Sequence, residues 1–332
     1  MPLSNEDSLR LNVLCAQAVK AIRINESSMV LSALTERGEA RIDLSPNDRH
    51  EAYLREVRNF LSEKYLGMPG GYPRHLQRWN RMGYGHTAMD EMLLLGEEEA
   101  VVALACSNRL DAQQAAYAWW AYQSPEIARN LLNNKKVADS ALGPELAAFL
   151  LEFLPFEAKP LDIVGSVKQC LQGELIGERD KARLWERARR RNPYFVGFML
   201  AGPRSIPLDE TPHEDYDALA ATLAGELRDD NPFALSYLHF LSAEGRKWLK
   251  SLTLALQKPT EPDVVIALFM TINQYIELGI APARGVRNIQ QARDSVEQWC
   301  AMPGAPEQLG AVYRKLETGH PERFKALLVL AQ

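Results

Sequence analysis

The hydrophobic positions near the N-terminus recur with two different periods. Over residues 5–18 the apolar side chains recur at helical spacing, which predicts a short helix. From residue 20 to 45 apolar and polar side chains alternate, as around Ile22 and Ile24, and this is the pattern of a half-buried strand. The polar residues at 36–39 separate two such runs and predict a hairpin turn. We therefore expect a small antiparallel β meander near the N-terminus.

The pattern of the remaining chain is helical. A long amphipathic stripe follows residue 45 and ends at Gly67, because glycine adopts the left-handed conformation that closes many helices. Between residues 93 and 156, short helices are predicted to begin near 97, 111, 125 and 143. Two of them take about 30–35 residues, the length of a helical-hairpin repeat. The predicted fold class is mainly α, with helical hairpins packed in a repeat-like (solenoid-like) array and the β meander near the N-terminus.

These patterns divide the chain into three regions. Residues 1–86 hold the N-terminal helix, the meander and a Gly/Pro-rich connector, and residues 87–158 form the helical repeat-like region. Residues 159–332 are a C-terminal helical region that we expect to pack on the first half. Within the second region, the sequences Ser124-Pro125 and Gly143-Pro144 each predict a proline at the first position of a helix.

Composition and charge narrow the classes of protein. The 332 residues are 46% hydrophobic and 24% charged, as in an average globular protein, and the net charge is −5. A DNA-coating protein is usually basic, so DNA is not an expected partner. No apolar run approaches the roughly 20 residues of a membrane span, and the N-terminus lacks the basic start of a secretory signal. We expect a soluble cytoplasmic protein with four reduced cysteines, of which Cys106 and Cys300 lie in helical cores.

The sequence contains no motif that by itself indicates catalysis. A phosphate-binding loop ending in Gly-Lys-Ser/Thr, a Gly-x-Ser-x-Gly elbow and a His-x-x-x-His pair are all missing. His213, Glu214 and Asp215 resemble hard metal ligands, but they equally form an acidic helix start and fit neither a metalloprotease nor an EF-hand spacing. We therefore predict a non-enzymatic protein with no cofactor and no metal. An enzyme whose site is assembled from distant residues near the 67–86 loop stays as an alternative.

Two groups of arginines are candidate binding residues. The first group lies on one face of a short predicted helix beside the glycines of residues 67–86, and the second on a basic helix predicted over 178–191. Such faces bind anions, an RNA backbone or an acidic protein, although ion pairs with neighbouring carboxylates are the structural alternative. The residues are Arg74, Arg78 and Arg81 in the first group, and Arg183, Arg187 and Arg190 in the second.

Trp120 is the other candidate binding residue. It follows Trp119, and adjacent residues point about 100° apart on a helix. One of the two rings should therefore pack in the core while the other covers a groove between helices. Tryptophan is enriched in binding hot spots, which makes the second position a candidate contact for a partner.

Several stretches in the first half of the chain form a family signature: Leu9–Leu14, Ala21–Ile24, Leu66–Gly83, Leu93–Val102, Ala118–Trp120 and Leu150–Phe156. In this order they resemble the sulfur reduction protein DsrS family of sulfur-oxidising bacteria. The resemblance implies a soluble cytoplasmic protein associated with the dissimilatory sulfite reductase gene cluster, and it carries over no catalytic residues. The expected function is an accessory or regulatory role in oxidative sulfur metabolism through a protein or RNA partner. An RNA-binding post-transcriptional regulator is the alternative.

Overall fold

The fold is taken from a computed structural model that describes residues 3–46, 49–72, 90–107, 109–228, 230–257 and 261–275. Over these residues the chain is mainly helical, with a three-stranded antiparallel sheet near the N-terminus, which confirms the class predicted from the hydrophobic periods. The chain divides into two units. Unit 1 comprises Met1–Glu157 and Gln172–Ile176, and unit 2 comprises Ala158–Leu171 and Gly177–Gln332.

Unit 1 begins with a helix and the predicted meander. Helix α1 spans Asn5–Cys15, and strands β1 (Val19–Asn25), β2 (Val30–Thr35) and β3 (Gly38–Asp43) follow in the sheet order β1-β2-β3. Helix α1 ends before the predicted residue 18, because Val19 already pairs with Thr35 in the sheet. The turn between β2 and β3 falls at residues 36–37, inside the predicted segment.

Alternation along the strands gives the sheet two different faces. Ile22, Leu31 and Ile42 lie on the face that packs against α1 and α2 (His50–Leu66). Leu11 and Leu14 of α1 and Tyr53, Leu54, Val57 and Leu61 of α2 complete this buried cluster. On the opposite face, which we call the polar face, Arg23, Ser32 and Arg41 are neighbours across the three strands, and Val30 and Leu34 of β2 lie beside them. Helix α2 ends at Gly67 with a φ of 69°, as predicted from the glycine.

A buried carboxylate joins α1 to α2. Asp7 is fully buried, and its Oδ2 accepts hydrogen bonds from the Ser45 amide at 2.9 Å and from the Tyr53 hydroxyl. Ser4 caps α1 by accepting a hydrogen bond from the Asp7 amide at 3.1 Å. Burial, and then the hydrogen bond to Asp7, raise the pKa of Tyr53. Tyr53 therefore remains a protonated donor to Asp7.

The other α-helices that the structure describes in unit 1 are α3 (Glu98–Cys106), α4 (Ala112–Ala121), α5 (Pro125–Leu132), α6 (Lys135–Ala138) and α7 (Leu142–Phe153). Their order follows the predicted starts, except that α6 was not predicted. The prediction for Pro144 was also wrong, because α7 begins at Leu142 and the proline takes the third position. Gly143 explains the early start. A Cβ atom there would lie 2.0 Å from the Ala138 carbonyl oxygen, so only glycine lets α7 begin this close to α6.

Cys106 corrects a further prediction. It was expected in the core, but it is exposed at the end of α3. The buried face of α3 consists of Ala100, Val101, Leu104 and Ala105, and the next residue points away from it. Cys15 and Cys170 form no disulfide, and Cys300 lies outside the described residues.

The described helices of unit 2 are α8 (Pro160–Cys170), α9 (Glu178–Ala188), α10 (Pro193–Ala201), α11 (Tyr216–Thr222), α12 (Ala224–Arg228), α13 (Pro232–Leu241), α14 (Ala243–Gln257) and α15 (Pro262–Tyr275). Helix α10 is buried along its length, as its apolar sequence predicted. Gly197 brings it against α8, since a Cβ atom there would lie 2.6 Å from Cβ of Val167. The helices predicted at 286–301, 306–318 and 321–330 lie outside the described residues. Within the described ranges, no helix combines the length and the apolar composition that crossing a membrane requires.

We predict that Asp7 and Tyr53 are energetically coupled. Tyr53→Phe leaves a buried carboxylate oxygen without one donor, so it should lower the free energy of unfolding by about 1–3 kcal/mol. A double-mutant cycle compares wild type, Tyr53→Phe, Asp7→Asn and the double variant by denaturant titration. The coupling energy from this cycle should be about 0.5–3 kcal/mol. Tyr117→Phe removes an exposed hydroxyl that hydrogen-bonds Gln113 and serves as the control, with an expected change within about 0.5 kcal/mol. Additive effects of Asp7→Asn and Tyr53→Phe would contradict the coupling.

Candidate functional site

The polar face of the sheet forms one wall of an open cleft in unit 1. We name it the β1 cleft; it has a volume of about 740 Å³. The walls come from the sheet and from helix ends: residues 22–28 of β1 and the following turn, Val30 and Ser32 of β2, Glu39 and Arg41 of β3, Arg58 of α2, residues 96–98 and Val101 before and in α3, and residues 121–122 at the end of α4. Strands and helix ends thus hold its side chains on regular elements.

Trp120 lies beside this cleft and stacks on one of its arginines. The Arg23 guanidinium carbon is 4.5 Å from the centre of the Trp120 ring, a cation–π distance, and its Nη2 is 2.9 Å from Glu39 Oε1. Trp120 is partly exposed, whereas Trp119 is buried and donates from Nε1 to Glu145 at 2.7 Å. Trp119 is therefore the core ring of the pair, whereas Trp120 packs on Arg23 of β1.

The carboxylate of Glu39 completes the arrangement. Partial desolvation acts to raise its pKa, but hydrogen bonds from Ser32 and Arg23, together with the positive charge of Arg23, lower the pKa overall. Trp120, Arg23 and Glu39 are therefore held in fixed positions relative to one another, and we call them the Trp120 cluster.

The other arginines of the β1 cleft are also paired with carboxylates. Arg58 forms an ion pair with Glu26 of the β1–β2 turn. Arg41 donates from Nε at 3.1 Å and Nη2 at 3.0 Å to Asp43 Oδ1. The cleft is consequently close to neutral, with charges of both signs fixed along its walls.

Glu97 is a half-buried carboxylate of the cleft, and its pKa is raised in the folded protein. Burial raises the pKa of Glu97, while the Tyr72 amide, which donates to Oε2 at 3.1 Å, and the charge of Arg58 act to lower it. The close approach depends on Gly71, where a Cβ atom would lie 2.1 Å from Glu97 Oε1. Gly71 also has a φ of 64°, which side-chain-bearing residues rarely adopt.

A second cleft of about 750 Å³ lies at the other end of β1, around Val19, Lys20 and Tyr117. Its polar groups serve the local structure. The Gln114 side chain donates to Asp90 Oδ1 at 2.5 Å and accepts from the Asp111 amide at 3.0 Å in the capping box of α4. These contacts give the second cleft a structural role.

The candidate arginines of the second group lie within α9 and just after its C-terminal end. The helix ends at Ala188 instead of residue 191, and Arg190 lies in the following turn, in which the Arg191 amide donates to the Arg187 carbonyl at 3.0 Å. Arg183 is 3.4 Å from Asp180, three residues earlier. Lys181–Glu178 and Arg189–Glu186 form ion pairs at the same spacing, which is the internal pairing offered as the structural alternative. Arg74, Arg78 and Arg81 lie outside the described residues.

His213, Glu214 and Asp215 lie close together in unit 2, with one ligand atom from each within 4.8 Å of the others. The Asp215 amide donates to His213 Nδ1 at 3.3 Å, so this nitrogen is already used as an acceptor. The arrangement is that of a turn leading into α11. The absence of a metal remains a prediction.

Sequence reasoning missed Arg23, Arg41 and Arg58. Arg23 and Arg41 could have been identified from the alternation of the strands, because polar residues at positions 23, 32 and 41 mark one face of the meander. No local pattern connects Arg23 to Trp120, which is far away along the chain. Comparison with known proteins adds no relative: no protein-family model, no curated protein and no solved structure matches this chain.

We predict that the Glu97 carboxylate makes unit 1 less stable as the pH rises. Its pKa is raised in the folded protein, so the folded state holds the proton more tightly than the unfolded chain. The stability that Glu97 contributes is fully present below its pKa in the unfolded chain. It is lost as the pH rises through its pKa in the folded protein. Glu97→Gln keeps an oxygen for the Tyr72 amide and removes the titration.

Denaturant unfolding of both proteins from about pH 4 to pH 7 measures this effect. The free energy of unfolding of Glu97→Gln should rise relative to wild type as the pH increases. Glu51→Gln, which removes a carboxylate from an exposed position in the first turn of α2, is the control. A difference that falls with pH for Glu97→Gln would contradict the assignment.

Proposed function

We propose that this chain is a cytoplasmic, non-enzymatic accessory protein that binds a partner protein through the β1 cleft. The resemblance to the DsrS family suggests that the partner acts in dissimilatory, oxidative sulfur metabolism. The predicted stacking of helical hairpins in a solenoid-like array belongs to the same proposal, since such arrays present extended binding surfaces.

The Trp120 cluster is the observation that carries the proposal. Tryptophan and arginine are the residues most enriched among binding hot spots. Here the two side chains are ordered before any partner arrives, because Arg23 lies between the Trp120 ring and Glu39. Side chains that are already ordered lose less conformational entropy on association, so they favour binding.

The charges of the cleft favour a polypeptide over RNA. Its arginines are Arg23, Arg41 and Arg58, whereas its glutamates are Glu26, Glu39, Glu97 and Glu98. A nucleic-acid surface is usually strongly positive, since binding to phosphates depends on released counterions. A protein segment with alternating charges can match a cleft that carries both signs.

The open shape of the cleft also suits a chain segment. Small-molecule sites are usually deep and mainly apolar. The β1 cleft instead has polar strands on one side and helix ends on the other, with its ion pairs at the surface.

Affinity purification from cells that naturally express the chain tests the proposal. Wild-type protein should retain one specific protein after ribonuclease treatment, and Trp120→Ala and Arg23→Ala should each lose it. With the purified partner, each variant should weaken binding by at least about tenfold, which corresponds to about 1.4 kcal/mol.

Matched controls separate the cleft from general surface effects. Phe156→Ala removes an aromatic side chain that is 81% exposed elsewhere in unit 1, and Arg189→Ala removes an exposed arginine that directly follows α9. Both should bind as wild type does. A partner that persists in Trp120→Ala and Arg23→Ala would reject the β1 cleft. Two results together would support the RNA-binding alternative. Ribonuclease would remove all captured material, and Arg187→Glu would abolish a salt-sensitive RNA gel shift.

A further inference from the structure

Strand β3 is an edge of the sheet, because the strand order is β1-β2-β3. In an antiparallel ladder, successive residues direct their N–H and C=O groups to alternate sides. The Leu44 amide donates to the Met29 carbonyl at 2.8 Å, so residue 44 faces the β2 side. By alternation, the main-chain groups of Glu39 and Arg41 point outward from the sheet.

The middle of this edge is open. Arg10 Nη1 donates to the outward carbonyl of Asp43 at 3.4 Å, which agrees with the alternation and occupies only the end of the strand. Among the described residues, no backbone group hydrogen-bonds the outward N–H and C=O of Glu39 or Arg41, and both residues are exposed. The edge therefore presents two free donors and two free acceptors.

The side chains along this edge alternate in charge. Glu39, Arg41 and Asp43 lie on the polar face of β3, in the order negative, positive, negative. The residues of β2 directly opposite them are Leu34, Ser32 and Val30, which are all uncharged. The row of charges therefore lacks a complementary row on β2.

An antiparallel copy of the same strand supplies that row. When the twofold axis passes through Ala40, Glu39 of each copy lies opposite Arg41 of the other, and Arg37 lies opposite Asp43. Glu39 and Arg41 would also exchange both of their outward N–H···O bonds, as directly opposed residues do in a hydrogen-bonded pair. Opposite charges directly across an antiparallel pair stabilise it.

The other face of the strand fits the same register. Ala40 lies opposite itself, and Gly38 lies opposite Ile42, so no two large side chains meet. We propose that β3 is a self-association surface, on which a second copy of this chain pairs antiparallel through Glu39 and Arg41 to form one six-stranded sheet.

Neighbouring registers fit less well. An axis through Arg41 places two arginines opposite each other and Glu39 opposite Asp43, so every pair of charged residues repels. An axis through Ile42 pairs Arg41 with Asp43, but it requires the Asp43 carbonyl that already accepts from Arg10. Of these three registers, only the Ala40 register combines opposite charges across the pair with central bonds from main-chain groups that are free.

The association should be weak and reversible. A stable interface usually buries about 1,200–2,000 Å², and pairing through one short strand buries less. We therefore expect monomers at low concentration and dimers at about 0.1–1 mM, which sedimentation equilibrium of the full chain measures.

Charge exchange tests the register. Glu39→Arg and Arg41→Glu should each weaken dimerisation by at least about tenfold, because each replaces attraction by repulsion at both symmetric positions. The double variant restores opposite charges across the pair and should return to within about threefold of wild type. Glu51→Arg makes the same charge change on α2 and should have no effect.

These variants distinguish the proposal from its rivals. Glu39→Arg also removes the ion pair with Arg23, and the double variant does not restore that pair, so its recovery reports the contact between copies. Wild-type protein that stays monomeric at about 1 mM, or a double variant that does not recover, would overturn the proposal. Unchanged dimerisation in Glu39→Arg would point to the Ile42 register and overturn it as well.

A cysteine at the axis gives a second measurement. Opposed residues of a non-hydrogen-bonded pair have Cα atoms about 4.5 Å apart, within the range that a disulfide bridges. Ala40→Cys should therefore form a covalent dimer under mild oxidation with diamide, above the background of the wild-type thiols. Asp43→Cys places the two cysteines about 20 Å apart in this register and should not cross-link. Equal cross-linking of the two variants would reject the Ala40 axis.

Discussion

The register of the β meander is the constraint on which unit 1 depends. Side chains alternate between the faces of a strand, so the pairing that buries Ile22, Leu31 and Ile42 also aligns Arg23, Ser32 and Arg41 on the other face. A slip of one residue would exchange the faces and place arginines in the core. The hydrophobic core, the polar wall of the β1 cleft and the charge order along β3 are therefore consequences of one register.

Local signals in the sequence were sufficient for much of the fold. The meander followed from alternation, the end of α2 from Gly67, and the start of α5 from Ser124 and Pro125. Two of the wrong predictions concern Pro144 and Cys106. Helix α7 begins early because Gly143 tolerates the Ala138 carbonyl, and Cys106 is exposed because the buried face of α3 stops at the preceding residue.

The candidate site was less accessible to sequence reasoning than the fold. Trp120 was identified as a groove-facing ring, but its contact with Arg23 joins a helix to a strand across a long stretch of chain. Charged residues in a strand identify the solvent-facing side without identifying their partners. The ion pairs of α9, by contrast, are local, and the charge spacing of that helix was enough to predict them as an alternative to a binding face.

The short segment Gln172–Ile176 belongs to unit 1, although α8 before it belongs to unit 2. Its Gln172 side chain donates to the Leu132 carbonyl at 2.8 Å, so it completes hydrogen bonding inside unit 1. Ribosomes release a chain from its N-terminus, and N-terminal domains generally fold first. Here unit 1 acquires its last residues only after α8 has been synthesised. The two units must therefore mature in overlapping steps during translation, and a single proteolytic cut cannot release either of them whole.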